Sequence, residues 1–183
     1  ILISPVNNSY SNNSNINFTA NVSSDYGLSN ATVFIYNQSN SVLINKTTIS
    51  LSGLTAITGK VITLIDGIYT WFYQVFDTSN NNYITENRTL TVDTKFPLID
   101  WGTGIANNGI NVSQNFIYFN TTWTETNFNL SLSVYYSGGS STYYNYPLHS
   151  YIFVAPAGDR VYTYNATICD FARNCNTTST RTI

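Results

Sequence analysis

A chain of 183 residues in which 9% carry charge, with a net charge of −2, has no electrostatic footprint for nucleic acid and no Lys/Arg cluster to hold a phosphate or an anionic membrane surface. Asn, Ser and Thr together supply 71 residues, so solubility rests on neutral polar groups, while the apolar supply is rich in Ile, Val, Tyr and Phe with no Met, which is strand chemistry. No apolar run approaches the roughly eighteen residues of a membrane helix, and Ile1 opens directly on strand-like sequence, as expected if a signal was removed or the sequence is an excerpt.

Period-two alternation bounded by Asn, Ser and Gly clusters predicts seven strands in the first half of the chain, and no segment there carries a helical stripe. They fall at Ile1 to Ser4, Asn15 to Ser23, Asn30 to Asn37, Ser41 to Ser50, Leu54 to Leu64, Ile68 to Asp77 and Tyr83 to Val92. Ile16, Phe18, Ala20 and Val22 share one face of the second strand, and Ala31, Val33 and Ile35 one face of the third. A slip of one residue would expose that whole core set, so the register is well specified. Pro5 closes the first strand, and Pro97 is expected at the equivalent place in the second half, both at a rim where a missing N–H is tolerated. Asp66-Gly67 before Tyr69, and Asp159 before Tyr162 in the second half, resemble the turn and tyrosine that open the sixth strand of immunoglobulin-like sandwiches, where the phenol bonds backbone at a corner. The alternative is two ordinary core tyrosines after tight turns.

The second half repeats the first at one constant offset. Asp66-Gly67-Ile68-Tyr69-Thr70-Trp71 returns as Asp159-Arg160-Val161-Tyr162-Thr163-Tyr164, Val75-Phe76-Asp77 as Ile168-Cys169-Asp170, and Arg88-Thr89-Leu90 as Arg181-Thr182-Ile183. One unit of roughly ninety residues has been duplicated, giving domains at residues 1–94 and 95–183. The second set of strands is predicted at Phe96 to Trp101, Asn115 to Thr124, Asn129 to Ser137, Ser141 to Tyr146, Leu148 to Ala155, Val161 to Cys169 and Cys175 to Ile183. An odd number of strands enters a sandwich at one end and leaves at the other, and Asp93-Thr94-Lys95 lacks the Gly/Ser run of a flexible tether. The expectation is a stiff, elongated, head-to-tail pair. Leu90 continues through Thr91-Val92-Asp93 whereas its counterpart Ile183 ends the sequence, which reads as an excerpt of a longer array.

Thirteen N-x-S/T triplets begin at Asn7, Asn12, Asn17, Asn21, Asn30, Asn37, Asn45, Asn87, Asn111, Asn120, Asn129, Asn165 and Asn176. Chance placement in this composition gives about six. Asn17, Asn21, Asn129 and Asn165 fall on the polar side of their alternating strands, opposite Phe18, Leu130 and Ala166, and a glycan needs an outward side chain. N-linked glycans would replace missing charge as the solubilising layer and shield strand edges. The competing reading is that a chain rich in Asn and Thr generates such triplets for free.

Cys169 and Cys175 bracket Asp170-Phe171-Ala172-Arg173-Asn174 at the hairpin before the last strand. The spacing does not match the paired cysteines of zinc sites, and the one histidine, His149, completes no ligand set. A hairpin disulfide is the better reading, and it implies an oxidising compartment. The first repeat has Phe76 and Asn82 at those places, so the bridge is an accessory to the fold. Glu86 and Glu125 are the only glutamates, and no paired-carboxylate, triad or phosphate-cradling constellation can be assembled. Hence no enzyme, metal or cofactor is expected. Asp77, Asp170 and Asp93 supply oxygens of the kind calcium takes, but Asp at a turn normally bonds its own backbone. Tyr135, Tyr136, Tyr143, Tyr144, Tyr146 and Tyr151 cluster in strands three to five of the second repeat, where adjacent residues face opposite ways. Exposed rings there stack on sugars, bury against a neighbouring subunit, or simply pair across strands.

Ile3-Ser4-Pro5 with Asn7-Asn8, Asn30-Ala31-Thr32 before an apolar strand, Asp66 to Trp71, Asp77-Thr78-Ser79, Thr89 to Thr94, and the Asp170-x-Ala172-x-Asn174 turn are together similar to the immunoglobulin-like (fibronectin III-like) repeats of prokaryotic, especially archaeal, surface glycoproteins. Asp100-Trp101-Gly102 departs from the usual Ser-Pro. The resemblance implies two tandem seven-stranded immunoglobulin-like β-sandwiches in an N-glycosylated extracellular array: a filament, stalk or surface layer whose partners are neighbouring copies, reached in one version by exchange of a terminal strand. The rival is a glycan-binding or adhesive module.

Overall fold

A computed structural model describes residues 1–126, 128–144 and 149–183. The fold is all-β, with seventeen strands and no helix among the described residues. The chain divides into two compact units, Ile1–Thr94 and Lys95–Ile183.

In the first unit the strands are β1 (Leu2–Ser4), β2 (Ser9–Ser11), β3 (Asn15–Ser23), β4 (Leu28–Asn37), β5 (Leu43–Ser50), β6 (Thr55–Thr63), β7 (Gly67–Asp77), β8 (Asn82–Ile84) and β9 (Arg88–Val92). They form a three-stranded sheet, β1-β3-β6, facing a second sheet, β2-β9-β7-β4-β5, with β8 also paired to β7. Alternation builds the core. Odd positions of β4 and β7 and even positions of β3 turn inward, so Val33, Ile35, Phe18 and Trp71 are fully buried. Phe18 meets Trp71 edge-on at 5.0 Å, and the buried Tyr73 hydroxyl donates to the Phe18 carbonyl (2.8 Å), tying one sheet to the other. Burial pushes the Tyr73 phenol up to about 12.

The second unit comprises β10 (Ile99–Trp101), β11 (Phe116–Trp123), β12 (Phe128–Tyr136), β13 (Gly139–Tyr144), β14 (Ser150–Val154), β15 (Tyr162–Asp170), β16 (Cys175–Thr177) and β17 (Arg181–Thr182). Its sheets run β10-β11-β14 and β13-β12-β15-β16, with β17 on β15. Trp101, Phe119 and Tyr164 interlock edge-on or tilted at 4.8–6.4 Å in one apolar cluster. Trp123 and Phe128 meet at 5.0 Å beside another, built on Leu130 and Ile168.

The alternation reading places most strands within two residues and misses three features. The first is β2. After β1 pairs antiparallel with β3, the chain crosses at Pro5 and pairs parallel with β9 through Ser9, Tyr10 and Ser11. Its three residues are exposed or half-covered, so it leaves no apolar pattern. In the second unit the segment after β10 makes a similar crossing without forming a strand: Gly109 N–H donates to the Thr182 carbonyl (2.7 Å), and Thr182 N–H to Asn108 Oδ1 (2.7 Å).

The second feature is the last strand, expected whole in each repeat and broken in both. Thr85 N–H donates to the Tyr73 carbonyl (2.9 Å), while Tyr73 N–H donates to the Thr85 hydroxyl (3.0 Å) and not to a carbonyl. Thr178 and Ala166 repeat the arrangement at 2.9 and 3.0 Å. A threonine hydroxyl thus substitutes for a ladder acceptor and separates β8 from β9 and β16 from β17. The third is Pro97. It precedes β10, which begins at Ile99, whereas Pro5 follows β1. The two prolines are therefore not equivalent.

Candidate functional surface

Each unit carries the same hairpin turn before its last strands. Asn81 N–H donates to Asp77 Oδ1 (2.8 Å) and its amide to Oδ2 (2.9 Å). In the second unit Asn174 N–H donates to Asp170 Oδ1 (2.9 Å) and its amide to Oδ2 (2.7 Å). Asn80 and Arg173 occupy the left-handed position, with φ of 64° and 72°. These aspartates spend their oxygens on their own turns, and Ser24 and the Ser79 N–H add further bonds to Asp77. The Asn81 amide foremost, with the Asn81 and Ser79 N–H groups and the Ser24 hydroxyl, holds the Asp77 carboxyl below its ordinary value. A depressed carboxylate stabilises the fold above its unfolded pKa of 3.8 and loses that contribution as pH falls through the lower folded value. Acid titration monitored by circular dichroism should therefore show the first unit weakening below that point, with the dependence reduced in Asp77→Asn.

Cys169 and Cys175 flank this turn as cross-strand partners of β15 and β16, their sulfurs bonded at 2.07 Å. Phe76 and Asn82 are the paired residues in the first unit. By loop entropy a ring this small contributes roughly 2 kcal/mol. Reduction, or Cys169→Ser with Cys175→Ser, should lower unfolding stability in urea by that amount while leaving the far-ultraviolet spectrum in place.

The two tyrosines expected at corners behave differently. Tyr69 donates to the Ile65 carbonyl at 2.8 Å and is a corner. The Tyr162 and Tyr164 hydroxyls are buried with no hydrogen-bond partner among the described residues. Tyr69→Phe should cost about 1 kcal/mol, whereas Tyr164→Phe should be neutral or stabilising, because no acceptor is lost and a desolvated hydroxyl is removed. Paired thermal melts distinguish the two.

None of the thirteen sequon asparagines is buried. Asn7, Asn12, Asn17, Asn21, Asn87, Asn111 and Asn129 are exposed, and Asn30, Asn37, Asn45, Asn120, Asn165 and Asn176 are partly covered. The nitrogen a sugar would modify is engaged in three of them: Asn120 Nδ2 donates to the Thr103 carbonyl (2.9 Å), Asn176 Nδ2 to that of Pro97 (3.1 Å) and, at longer range, Asn30 Nδ2 to the Ser29 hydroxyl (3.4 Å). In Asn37 and Asn45 only the amide oxygen is used, accepting from Ser39 N–H (2.9 Å) and the Thr47 hydroxyl (2.8 Å) of the same triplet. On the outer face of β3 and β6, Asn17 stands opposite Val61 and Asn21 opposite Ile57. These apolar partners are 58% and 73% exposed.

The tyrosine cluster of the second unit narrows. Tyr136 turns inward against Phe153 and Tyr162, at 6.2 and 5.5 Å, and Tyr151 is partly buried on the same cluster. Tyr135 faces out and is 48% exposed. The backbone of Tyr143 and Tyr144 lies in β13, but their side chains, and all of Tyr146, lie outside the described residues. The first unit holds outward aromatics that the sequence reading passed over. Phe34, Tyr36, Phe72 and Phe76 occupy the solvent phase of β4 and β7. Phe72 stacks on Phe34 at 5.1 Å and on Tyr36 at 6.1 Å, and the Lys46 ammonium sits 5.3 Å above Phe34. Their parity, opposite to Val33 and Trp71, was the available signal.

No protein-family model matches the chain, and no curated protein sequence matches it. Among solved structures it is similar to the fibronectin(III)-like modules of CbhA from Clostridium thermocellum, at 16% identity and a TM-score of 0.52 over 100% of this chain and 90% of that one. A 1.5-MDa bacterial ice-binding adhesin aligns at 13% identity and 0.45 over 93% of this chain and 57% of that one. The FN1-FN3 domains of chicken CNTN1 align at 10% identity and 0.49 over 100% and 63%. The fold is thus that of fibronectin III-like and immunoglobulin-like β-sandwich modules, as the resemblance implied. None of these three is an archaeal surface glycoprotein.

Proposed function

We propose that this chain is a non-catalytic structural segment of an extracellular, N-glycosylated array, a repeat unit of a prokaryotic cell-surface filament, stalk or layer of the archaeal type its sequence resembles. The observation that carries the reading is the placement of the sequons: none of the thirteen asparagines is buried, and Asn17, Asn21, Asn129 and Asn165 alternate with core residues of their strands. The bonded cysteine pair supports an oxidising compartment. Sugar at Asn17 and Asn21 would cover the exposed Val61 and Ile57 beside them and stand next to the edge strand β6, limiting unspecific edge pairing.

Contacts between copies would use an edge away from those sugars, such as β5. The two terminal strands are already engaged within their own units: β1 pairs with β3 and β17 with β15. Intact-mass measurement on native material should show sugar-sized increments, and negative-stain electron microscopy should show ordered fibres or sheets. An unmodified, dispersed monomer would overturn the reading. The adhesive alternative rests on the exposed Tyr135. It predicts selective binding on a glycan array that Tyr135→Ala abolishes.

A further inference from the structure

The outer face of the second sheet in the first unit contains a groove of about 420 Å³ with a sequon on its rim. Asn30 of β4 and Phe76 of β7 are directly opposite each other across the strand pair. Phe34 closes the other end, and the floor is polar: Gln74, and Thr32 joined to Thr48 by a 2.8 Å hydroxyl–hydroxyl bond. Lys46, over the Phe34 ring, brings an ammonium to the same groove. Thr32 is itself the third residue of the Asn30 triplet. Asn30 Nδ2 makes only a long 3.4 Å contact to the Ser29 hydroxyl, unlike the anchored amides of Asn120 and Asn176. The other strand-borne sequons face aliphatic, polar or inward-turned partners, such as Val61 for Asn17, Ile57 for Asn21 and Ser133 for Asn165.

We infer that the groove seats the first sugar of a glycan linked to Asn30, with the sugar's C–H face on Phe76 and its hydroxyls on Gln74, Thr48 and Lys46. This rests on the glycoprotein reading above and adds a site-specific consequence to it. The modification is a glycosyl transfer from a sugar (pyro)phosphate donor. The C1–Nδ2 bond forms, the donor's C1–O bond breaks, the (pyro)phosphate leaves with the electron pair, and the amide keeps one N–H and gives up its other proton to solvent or to the departing phosphate. A sugar ring suits the groove because an aromatic wall binds its apolar face while donors and acceptors on the floor meet its rim.

The test uses the full chain from a glycosylating host. Glycopeptide mapping should find Asn30 occupied. Trimming all glycans to the first sugar should leave the melting temperature of the first unit about 4 °C above that of Asn30→Gln. In Phe76→Ser that difference should vanish, while Asn87→Gln, at an exposed turn, should change nothing. Because Phe76→Ser also perturbs the sheet, proton NMR of the unmutated glycoprotein supplies the second reading: ring-current shifts and nuclear Overhauser contacts between one sugar and Phe76. Sugar on Asn87 or Asn12 with Asn30 bare would overturn the inference and leave the glycoprotein reading standing; no sugar anywhere would sink both. An occupied Asn30 with no contact to Phe76 and no stabilisation would refute the groove alone.

Discussion

Trp71→Ala should lower the stability of the first unit by about 4 kcal/mol, to be read from urea unfolding followed by near-ultraviolet circular dichroism. The indole is fully buried, with Phe18 edge-on at 5.0 Å and Tyr73 at 6.4 Å, and it stands opposite Ile35 on β4. Both sheets contribute to its surroundings, so the cavity left by alanine cannot close without moving one sheet against the other. Trp71→Phe provides the control. The indole N–H has no hydrogen-bond partner among the described residues, so phenylalanine forfeits area and no bond, and the cost falls to about 1–2 kcal/mol. Equal losses in the two variants would mean that the ring is held by something other than packing.

Asp170→Ala should cost the second unit about 3 kcal/mol under oxidising conditions. Asp170 and Asn174 are 4% and 2% exposed. Removing the carboxylate takes the acceptors from a backbone N–H and an amide that are both out of water, and each such loss amounts to about 1–3 kcal/mol. The variant should still form the disulfide, since β15 and β16 remain paired at Cys169 and Cys175. A thiol titration together with a thermal melt checks both statements. A loss under about 1 kcal/mol would show that the bridge, and not the aspartate, holds the turn. Asp77→Ala should act in the same direction in the first unit, where no bridge stands behind it.

These residues also show how far the sequence could be read. The strands of the core announced themselves because Ile16, Phe18, Ala20 and Val22 alternate with polar neighbours, and period two survives any tertiary context in a two-layer sandwich. The Asp-x-x-x-Asn turn and the cysteines around it were visible because the constraint is local. Thr85 and Thr178 were not, since a side-chain hydroxyl standing in for a carbonyl leaves an unbroken stretch of strand-forming residues in the sequence. Tyr162 repeats the position of Tyr69 without its bond: the corner depends on the path of the preceding loop, and Ile65 lies in a loop unlike the one that holds Gly158. Phe34 and Phe72 were equally legible, since their parity is opposite to that of Val33 and Trp71, but outward aromatics were sought only among the tyrosines of the second repeat.

The parallel pairing of β2 with β9 governs how the first unit answers to force. Strand β2 follows the unit's entry and β9 leads to its exit, and the two run in the same direction side by side. Tension applied at entry and exit pulls them oppositely along their common axis. Their bonds, together with the flanking Asn8 to Thr89 and Asp93 to Ser11 contacts at 3.0 and 2.9 Å, are loaded in shear and must fail together, whereas an antiparallel hairpin opened from its end unzips one bond at a time. A three-residue strand without a single core side chain thereby becomes the unit's mechanical clamp, and atomic-force stretching would register it as one high rupture peak.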